Sequence, residues 1–251
     1  MSSPTWTAEE LESNLVYLSG KAWRVVEGQH VVSTTKLVDT LKEQQRLEEL
    51  LDDSKPKVPE VCQGLDYLLY TPFRYTPYKR GSRFRRAGQK DGAFYASENI
   101  HTALAEMAFY RLLFFAESPA TPLPANPGEY TCFQIAYKSD RAIDLTEPPL
   151  NKNKKNWMSV SDYTACQNLA DEARKSNITV IKSTSVRCPQ RGINVTLLSC
   201  TAFLKKKPLE TEQWSLIVKK DRVIAIKELK RESLSFTLDD FNNDPRIIKK
   251  S

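Results

Sequence analysis

The chain has 251 residues, of which 40% are hydrophobic and 27% charged, with only 8 Gly and 14 Pro. That composition excludes collagen-like, low-complexity and disordered classes and suffices for one large domain with its own core. Lys and Arg total 37 against 31 Asp and Glu, a net charge of +6, which points to an anionic partner: nucleic acid, acidic lipid or a phosphate-bearing small molecule.

Thr7-Ala8-Glu9-Glu10 reads as a capping box opening a helix to about Leu18, and residues 21–26 as a first strand. A long amphipathic helix is predicted over 34–51, where Leu37, Leu41, Leu47, Leu50 and Leu51 fall near helical spacing. After a Pro- and Lys-bearing loop, the prolines within 67–75 predict an extended, irregular segment. Residues 92–97 read as a strand, and Ser97 or Asn99 caps a helix to about Phe115. A proline-rich loop over 119–127 follows. Strands are predicted over 130–137 and 142–145, then a helix over 162–175.

The last third reads as strand: 178–181, 195–204, 214–219 and 223–226. Helices come early and strands late, without regular βαβ alternation. The expected fold is therefore α+β, a mixed or antiparallel sheet core with flanking helices. One domain is expected over 21–235 with a helical insertion at about 33–60. An N-terminal helical extension over 1–20 precedes it, and a peripheral tail over 236–251 follows.

Several motifs are missing. No Rossmann fingerprint, P-loop or G-x-S-x-G sequence is present. No apolar run approaches the roughly 20 residues of a membrane helix, and Met1-Ser2-Ser3-Pro4 opens no signal region, so a cytoplasmic location and no membrane partner are expected. Cys62, Cys132, Cys166, Cys188 and Cys200 are widely spaced with no CxxC pair, which favours reduced core thiols over a disulfide framework or a metal ribbon. The two histidines, His30 and His101, give little material for zinc or Ser-His-Asp chemistry, and no metal site is expected.

Chemistry then falls to arginine, carboxylate and hydroxyl groups. Residues 74–90 hold seven basic side chains (Arg74, Lys79, Arg80, Arg83, Arg85, Arg86 and Lys90) and no acid, interleaved with Tyr75, Tyr78 and Phe84. Guanidinium forks suit phosphate oxygens, and rings cover planar groups; a solvated basic loop has the same composition. Glu106 stands alone amid Thr102, Ala103, Phe109 and Tyr110 on its helix. A glutamate on such a face needs an ion-pair partner or a ligand. Ser183-Thr184-Ser185-Val186-Arg187 follows a short strand, where hydroxyls and a guanidinium suit a ribose or phosphate and also an ordinary turn.

Together these segments resemble the RES-domain family, named for an Arg, a Glu and a Ser. Gly81-Ser82-Arg83-Phe84 is similar to its arginine-aromatic motif. Gly92-Ala93-Phe94-Tyr95-Ala96-Ser97, running into Thr102-Ala103-Leu104-Ala105-Glu106, is similar to its strand-then-glutamate-helix unit. Asp162-Tyr163-Thr164 and Ser185-Val186-Arg187 with Asn194 resemble its later blocks, and Trp23-Arg24 its first-strand arginine. The resemblance implies an ADP-ribosyltransferase-like fold and a bacterial toxin that consumes NAD⁺ as substrate, without a metal.

It further implies an Xre-type helix-turn-helix antitoxin as partner, with nucleic acid reached only through it. Carried over, Glu106, Arg24 and Arg83 are catalytic, and Arg24, Arg83, Tyr95, Ser185, Arg187 and Asn194 bind the dinucleotide. The expected reaction splits the nicotinamide–ribose bond and passes ADP-ribose to phosphate or water. Transfer to a protein is the alternative. Val25 stands where some compact members carry Tyr, so a ring over the nicotinamide comes from elsewhere.

Two rival readings use other residues. Arg24, Ser183-Thr184-Ser185 and Glu210-Thr211-Glu212 resemble the pattern of another ADP-ribosyltransferase group, in which the second glutamate acts. Glu210 and Glu212 are expected in a polar turn, which favours Glu106. A non-enzymatic nucleic-acid module over 74–90 and Lys205-Lys206-Lys207 is the third reading, with a steep salt dependence as its signature.

Overall fold

The computed structural model describes residues 6–28, 38–74, 79–228 and 232–248. His30, Tyr75, Tyr78 and the predicted helix start at Thr34 lie outside the described residues. In chain order the elements are α1 (Ala8–Glu12), β1 (Val16–Glu27), α2 (Leu41–Asp53), α3 (Tyr67–Arg74), β2 (Phe94–Ser97), α4 (Ile100–Glu117) and β3 (Gly128–Asp144). There follow α5 (Lys154–Trp157), α6 (Thr164–Lys175), β4 (Val180–Thr184), β5 (Ile193–Leu197), β6 (Glu210–Val218), β7 (Arg222–Lys227), β8 (Ser233–Thr237) and α7 (Pro245–Ile248).

The expected α+β class holds: a mixed eight-stranded sheet is flanked by helices, with strand order β1-β2-β5-β4-β3-β6-β7-β8 and an additional β1–β3 pairing. Because β1 meets both β2 and β3, the first five strands of that order close on themselves. The closure is thin at one seam, where Trp23 opposite Ser97 is the registered pair between β1 and β2. On the other side β1 runs antiparallel to β3 from Val16 opposite Ala142 to Glu27 opposite Tyr130. One face of the sheet packs on α4 through Ala105, Ala108, Phe109 and Leu112 against Trp214, Leu216 and Val223. A second core sets Ile143, Ile181 and Phe84 against Leu169 and Ala173 of α6.

Several local expectations give way to tertiary pairing. The predicted helix to Leu18 stops at Glu12, although its capping box is present, because the chain from Val16 has a full-length partner in β3 and sheet pairing overrides weak helix propensity. The two strands predicted over 130–145 are one, β3. Glu210 to Glu212 lie in β6, opposite Gln134 to Cys132, and not in a turn. The strand predicted over 195–204 ends at Leu197 and gives way to a 3-10 turn at Cys200–Ala202.

The segment predicted to be extended is the helix α3, with Pro72 inside it. The Asp66 carboxylate accepts from Leu68 N at 3.0 Å and the Thr71 hydroxyl donates to the Tyr67 carbonyl, so a missing N–H near the end of a short helix is tolerated. Gly92 makes this packing possible: a Cβ there would lie 2.4 Å from the Pro72 carbonyl oxygen.

Two further expectations are corrected. Cys62 and Cys200 form a disulfide, with Cα atoms 5.4 Å apart, and it ties the turn before α3 to the one after β5; Cys132, Cys166 and Cys188 are free and buried. The C-terminal stretch is not peripheral. Phe241 and Ile247 pack into the α4 core, and Asp244 is completely buried. Phe241 sets its ring against Phe109 of α4, with centroids 5.5 Å apart. No helix among the described residues is long and apolar enough to cross a membrane.

Candidate active site

Sheet register assembles the centre. Trp23 on β1 faces Ser97 on β2, Ser97 faces Asn194 on β5, and Asn194 faces Ser183 on β4. Residues directly across a sheet share one face, and the Ser97 hydroxyl accordingly donates to Asn194 Oδ1 at 2.7 Å. That bond fixes the amide so that Nδ2 points outward, and it donates to Glu106 Oε1 at 2.6 Å.

Glu106 arrives from α4, whose first turn is capped by the Asn99 side chain accepting from Thr102 N at 2.8 Å. Its Oε1 also accepts from the Ser185 hydroxyl at 2.6 Å. Ser185 is fixed in turn, its Oγ accepting from Arg187 N at 3.1 Å and Cys188 N at 2.9 Å. Among the described residues the hydrogen bonds to the carboxylate from Ser185 and Asn194 both fall on Oε1. Distances of 2.6 Å belong to charge-assisted bonds.

Glu106 lines a cavity of about 310 Å³ together with Arg24, Tyr95, Tyr110, Tyr163 and Asn194. A neighbouring cavity of about 860 Å³ shares Arg24, Ser82, Tyr95 and Tyr110 with it and adds Lys79, Arg80 and Arg85. The two are compartments of one cleft, with Glu106 the one carboxylate lining the narrow end beside Arg24 and Arg83, and Lys79, Arg80 and Arg85 against Glu27 at the wide one. Arg24 stands at the divide, donating from Nη1 to the Tyr95 carbonyl at 2.8 Å, with its guanidinium 4.8 Å from the Phe94 ring centroid. Tyr95 holds the loop before β2: its hydroxyl is 2.7 Å from Ser82 Oγ and accepts from Phe84 N at 3.0 Å. Burial pushes its phenol above the usual range, against the Ser82 and Phe84 bonds and the charges of Arg174 and Arg83.

The expected residues thus divide. Glu106, Ser185, Asn194, Arg24 and Tyr95 come together. Arg83 reaches the cavity wall, but its terminal nitrogens donate to the Thr184 carbonyl at 2.8 Å and the Trp157 carbonyl at 2.7 Å; it holds the 183–185 loop beside Glu106. Arg187, expected on the dinucleotide, does not line either compartment of the cleft. It is buried, donating to Asp244 Oδ2 at 2.6 Å and to the Tyr163 hydroxyl at 2.7 Å, and its guanidinium sits 3.7 Å from the Phe109 ring centroid. Burial would raise the Asp244 carboxyl, but the Arg246 hydrogen bonds and the Arg187 charge hold it below the usual carboxylate range.

The basic run over 74–90 is largely consumed within the fold. Arg86 pairs with Asp171 at 2.5 Å, Arg85 donates to the Gln89 carbonyl at 2.9 Å, and Gln167 of α6 holds the Ser82 carbonyl at 3.0 Å. Lys79 and Arg80 line the wide compartment, Arg80 also pairing with Glu117 at 3.3 Å. The rival glutamate, Glu212, accepts from Lys227 at 2.6 Å and from Trp214 Nε1 at 2.9 Å, and it lines neither compartment. His101 is a packing residue, its ring 5.3 Å from that of Phe236.

Sequence reasoning missed Tyr110 and Tyr163 as lining residues. Tyr110 was legible, since it lies one helical turn after Glu106 and so shares its face. Tyr163 had no such spacing, and its one signal was its place in the Asp162-Tyr163-Thr164 block. No group of three or more His, Cys, Asp or Glu side chains able to hold a metal occurs among the described residues.

No curated protein matches the chain. Among solved structures, one described as the crystal structure of the M. tuberculosis MbcT-MbcA toxin-antitoxin complex aligns over 94% of this chain and 94% of its own, with a TM-score of 0.47 and 10% identity. The family model described as RES domain matches residues 57–219, a span that holds Glu106, Ser185, Asn194, Arg83 and Tyr95, and the chain belongs to that family.

Proposed function

We propose that the chain cleaves the nicotinamide–ribose bond of NAD⁺ and passes ADP-ribose to phosphate or water. The observation that carries this reading is the Glu106 carboxylate, held through Oε1 by Ser185 and Asn194 in the narrow end of a cleft whose wide end is basic.

The chemistry follows from the charges. The C1′–N bond breaks with its electron pair going to the nicotinamide nitrogen, so a cationic ring leaves neutral and the ribose becomes oxocarbenium-like. A fixed carboxylate beside C1′ stabilises that charge as it develops, as in glycoside hydrolysis. The acceptor oxygen then bonds to C1′ and loses its proton to solvent. Arg24, at the divide between compartments, is placed for the pyrophosphate, and the basic wide end for the remaining phosphate and adenosine; holding these parts still converts binding energy into orientation. Ser185 and Asn194 donate to Oε1 and so keep the carboxylate in one rotamer. Tyr110 and Tyr163 supply the rings that the residue after Arg24 does not.

Incubation with NAD⁺, with and without phosphate, followed by mass identification of products tests the reading. Nicotinamide release is expected, with ADP-ribose-1″-phosphate formed when phosphate is present or ADP-ribose from water. ADP-ribose attached to protein indicates the transferase alternative, and intact NAD⁺ under all conditions refutes the proposal. The family resemblance adds an Xre-type antitoxin as the protein partner in a cytoplasmic setting, testable by co-purification with its own operon neighbour. A nucleic-acid module is disfavoured because Arg83, Arg85 and Arg86 spend their donors inside the fold.

A further inference from the structure

The segment after the family match ends in a buried charge for which the sequence gives no motive. Asp244 has no exposed surface, and its carboxylate is fully engaged. Oδ2 accepts from Arg187 Nη1 at 2.6 Å and from Arg246 Nη2 at 2.7 Å, while Oδ1 accepts from Arg246 Nε at 2.9 Å and Arg246 N at 3.0 Å. An ion pair this deep is poor value as stabiliser alone, because desolvation offsets most of the attraction. Such pairs repay attention to what they orient.

Arg187 shows what is oriented here. One guanidinium nitrogen holds the Tyr163 hydroxyl at 2.7 Å and also the Val160 carbonyl. The plane of the group lies on Phe109, three residues after Glu106 on α4, and its main-chain N–H donates to Ser185 Oγ. Arg246 reaches the Val160 carbonyl as well, at 3.1 Å. Both ends of this clamp therefore touch the cleft: Tyr163 lines the Glu106 compartment, and Ser185 binds Glu106 itself.

We propose that the C-terminal segment is a working part of the cleft, with Asp244 as a positioning residue that, through Arg187, sets the Tyr163 ring and the Ser185 turn around the Glu106 compartment. The proposal rests on the reading of that compartment as the site of NAD⁺ cleavage, and its test has an arm that does not. Asp244→Asn keeps the shape and removes the charge. Tyr163→Phe removes only the hydroxyl.

In nicotinamide release, each single variant is expected to lose about tenfold in kcat/KM, the scale on which small misplacements act, with the wild-type melting curve checked alongside. The double variant is expected to lose no more than the worse single one, since both break the same chain of contacts. Losses that multiply would show that Asp244 and Tyr163 act independently and overturn the proposal. Hydrogen exchange read by mass spectrometry supplies the independent arm. Asp244→Asn is expected to speed exchange about tenfold over 158–164 and 185–192 as well as over 239–248, whether or not NAD⁺ is cleaved. Faster exchange confined to 239–248 overturns the clamp. Wild-type protein that leaves NAD⁺ intact defeats the functional reading and leaves the exchange result to decide the clamp. If Asp244→Asn does not fold, Asp244→Glu, which displaces the charge by one methylene, carries both measurements.

Discussion

Replacing Glu106 by Gln removes one charge and almost no volume. The amide oxygen can take the place of Oε1 and still accept from Ser185 Oγ and Asn194 Nδ2, each now at 2.6 Å. Those two bonds lose their charge assistance, at about 1 kcal/mol each, so the melting temperature falls by about 4–8 °C for a chain of this size. The transition state loses far more. Glu106 is half-buried, so an effective dielectric near 20 applies, and a unit charge about 4 Å from a developing cation is worth about 4 kcal/mol. At roughly 1.4 kcal/mol per decade that is about a thousandfold in kcat.

Nicotinamide release under saturating NAD⁺ measures it. The comparison is Glu212→Gln, which loosens Lys227 on β7 and Trp214 on β6 but touches neither compartment, and is expected to keep kcat within about threefold of wild type. A Glu106→Gln protein that melts normally and retains a tenth of its turnover would refute the assignment of the carboxylate. So would a Glu212→Gln variant that loses most of its own.

Three further outcomes are expected. Arg24→Gln raises the KM for NAD⁺ by about ten- to a hundredfold, the worth of one charged hydrogen bond, and an unchanged KM would remove Arg24 from the substrate. Because the Asp244 carboxyl is depressed in the folded state, the unfolded chain takes up its proton first as pH falls. Its stabilisation is complete above about pH 5 and drains away through the unfolded value near 3.9 and on to the folded one; calorimetric melts from pH 6 to 3 should slope downward, and Asp244→Asn should flatten that slope. Thiol titration of the denatured, unreduced protein should count three free cysteines, Cys132, Cys166 and Cys188, and a count of five would contradict the Cys62–Cys200 bond. In the native protein Cys132 and Cys166 should both react slowly, since burial raises both thiols, that of Cys132 to about 12.

What was legible in the sequence was what local physics decides. A lone glutamate on the apolar helix α4 needed a partner, and hydroxyls at the end of β4 needed a purpose; the fold supplies each to the other through Ser185 and Glu106. The strand over 92–97 and the cap at Asn99 were readable for the same reason, since both are written in neighbouring residues. Misreadings cluster where distant pairing decides. Val16 to Gly20 carry a pattern open to helix or strand, and their conformation is set by a β3 partner more than a hundred positions away. Pro72 argued correctly against a long helix and wrongly against a short one, because the deciding contact is made by Gly92.

Arginine is where composition misleads most. Seven basic residues in a row of seventeen advertise an anion site, yet Arg83, Arg85 and Arg86 are turned inward to carbonyls and to Asp171, while Arg24, the one arginine of β1, stands at the divide of the cleft. A guanidinium has five donors and a flat face, so it serves equally well as a brace for a loop or as a grip on phosphate, and no local signal separates the two uses. Arg187 carries the point furthest. Its neighbours in sequence, Ser185 and Val186, are at the site, and that nearness suggested a ligand. The buried carboxylate fifty-seven positions later makes it a brace instead, holding from behind what Glu106 requires in front.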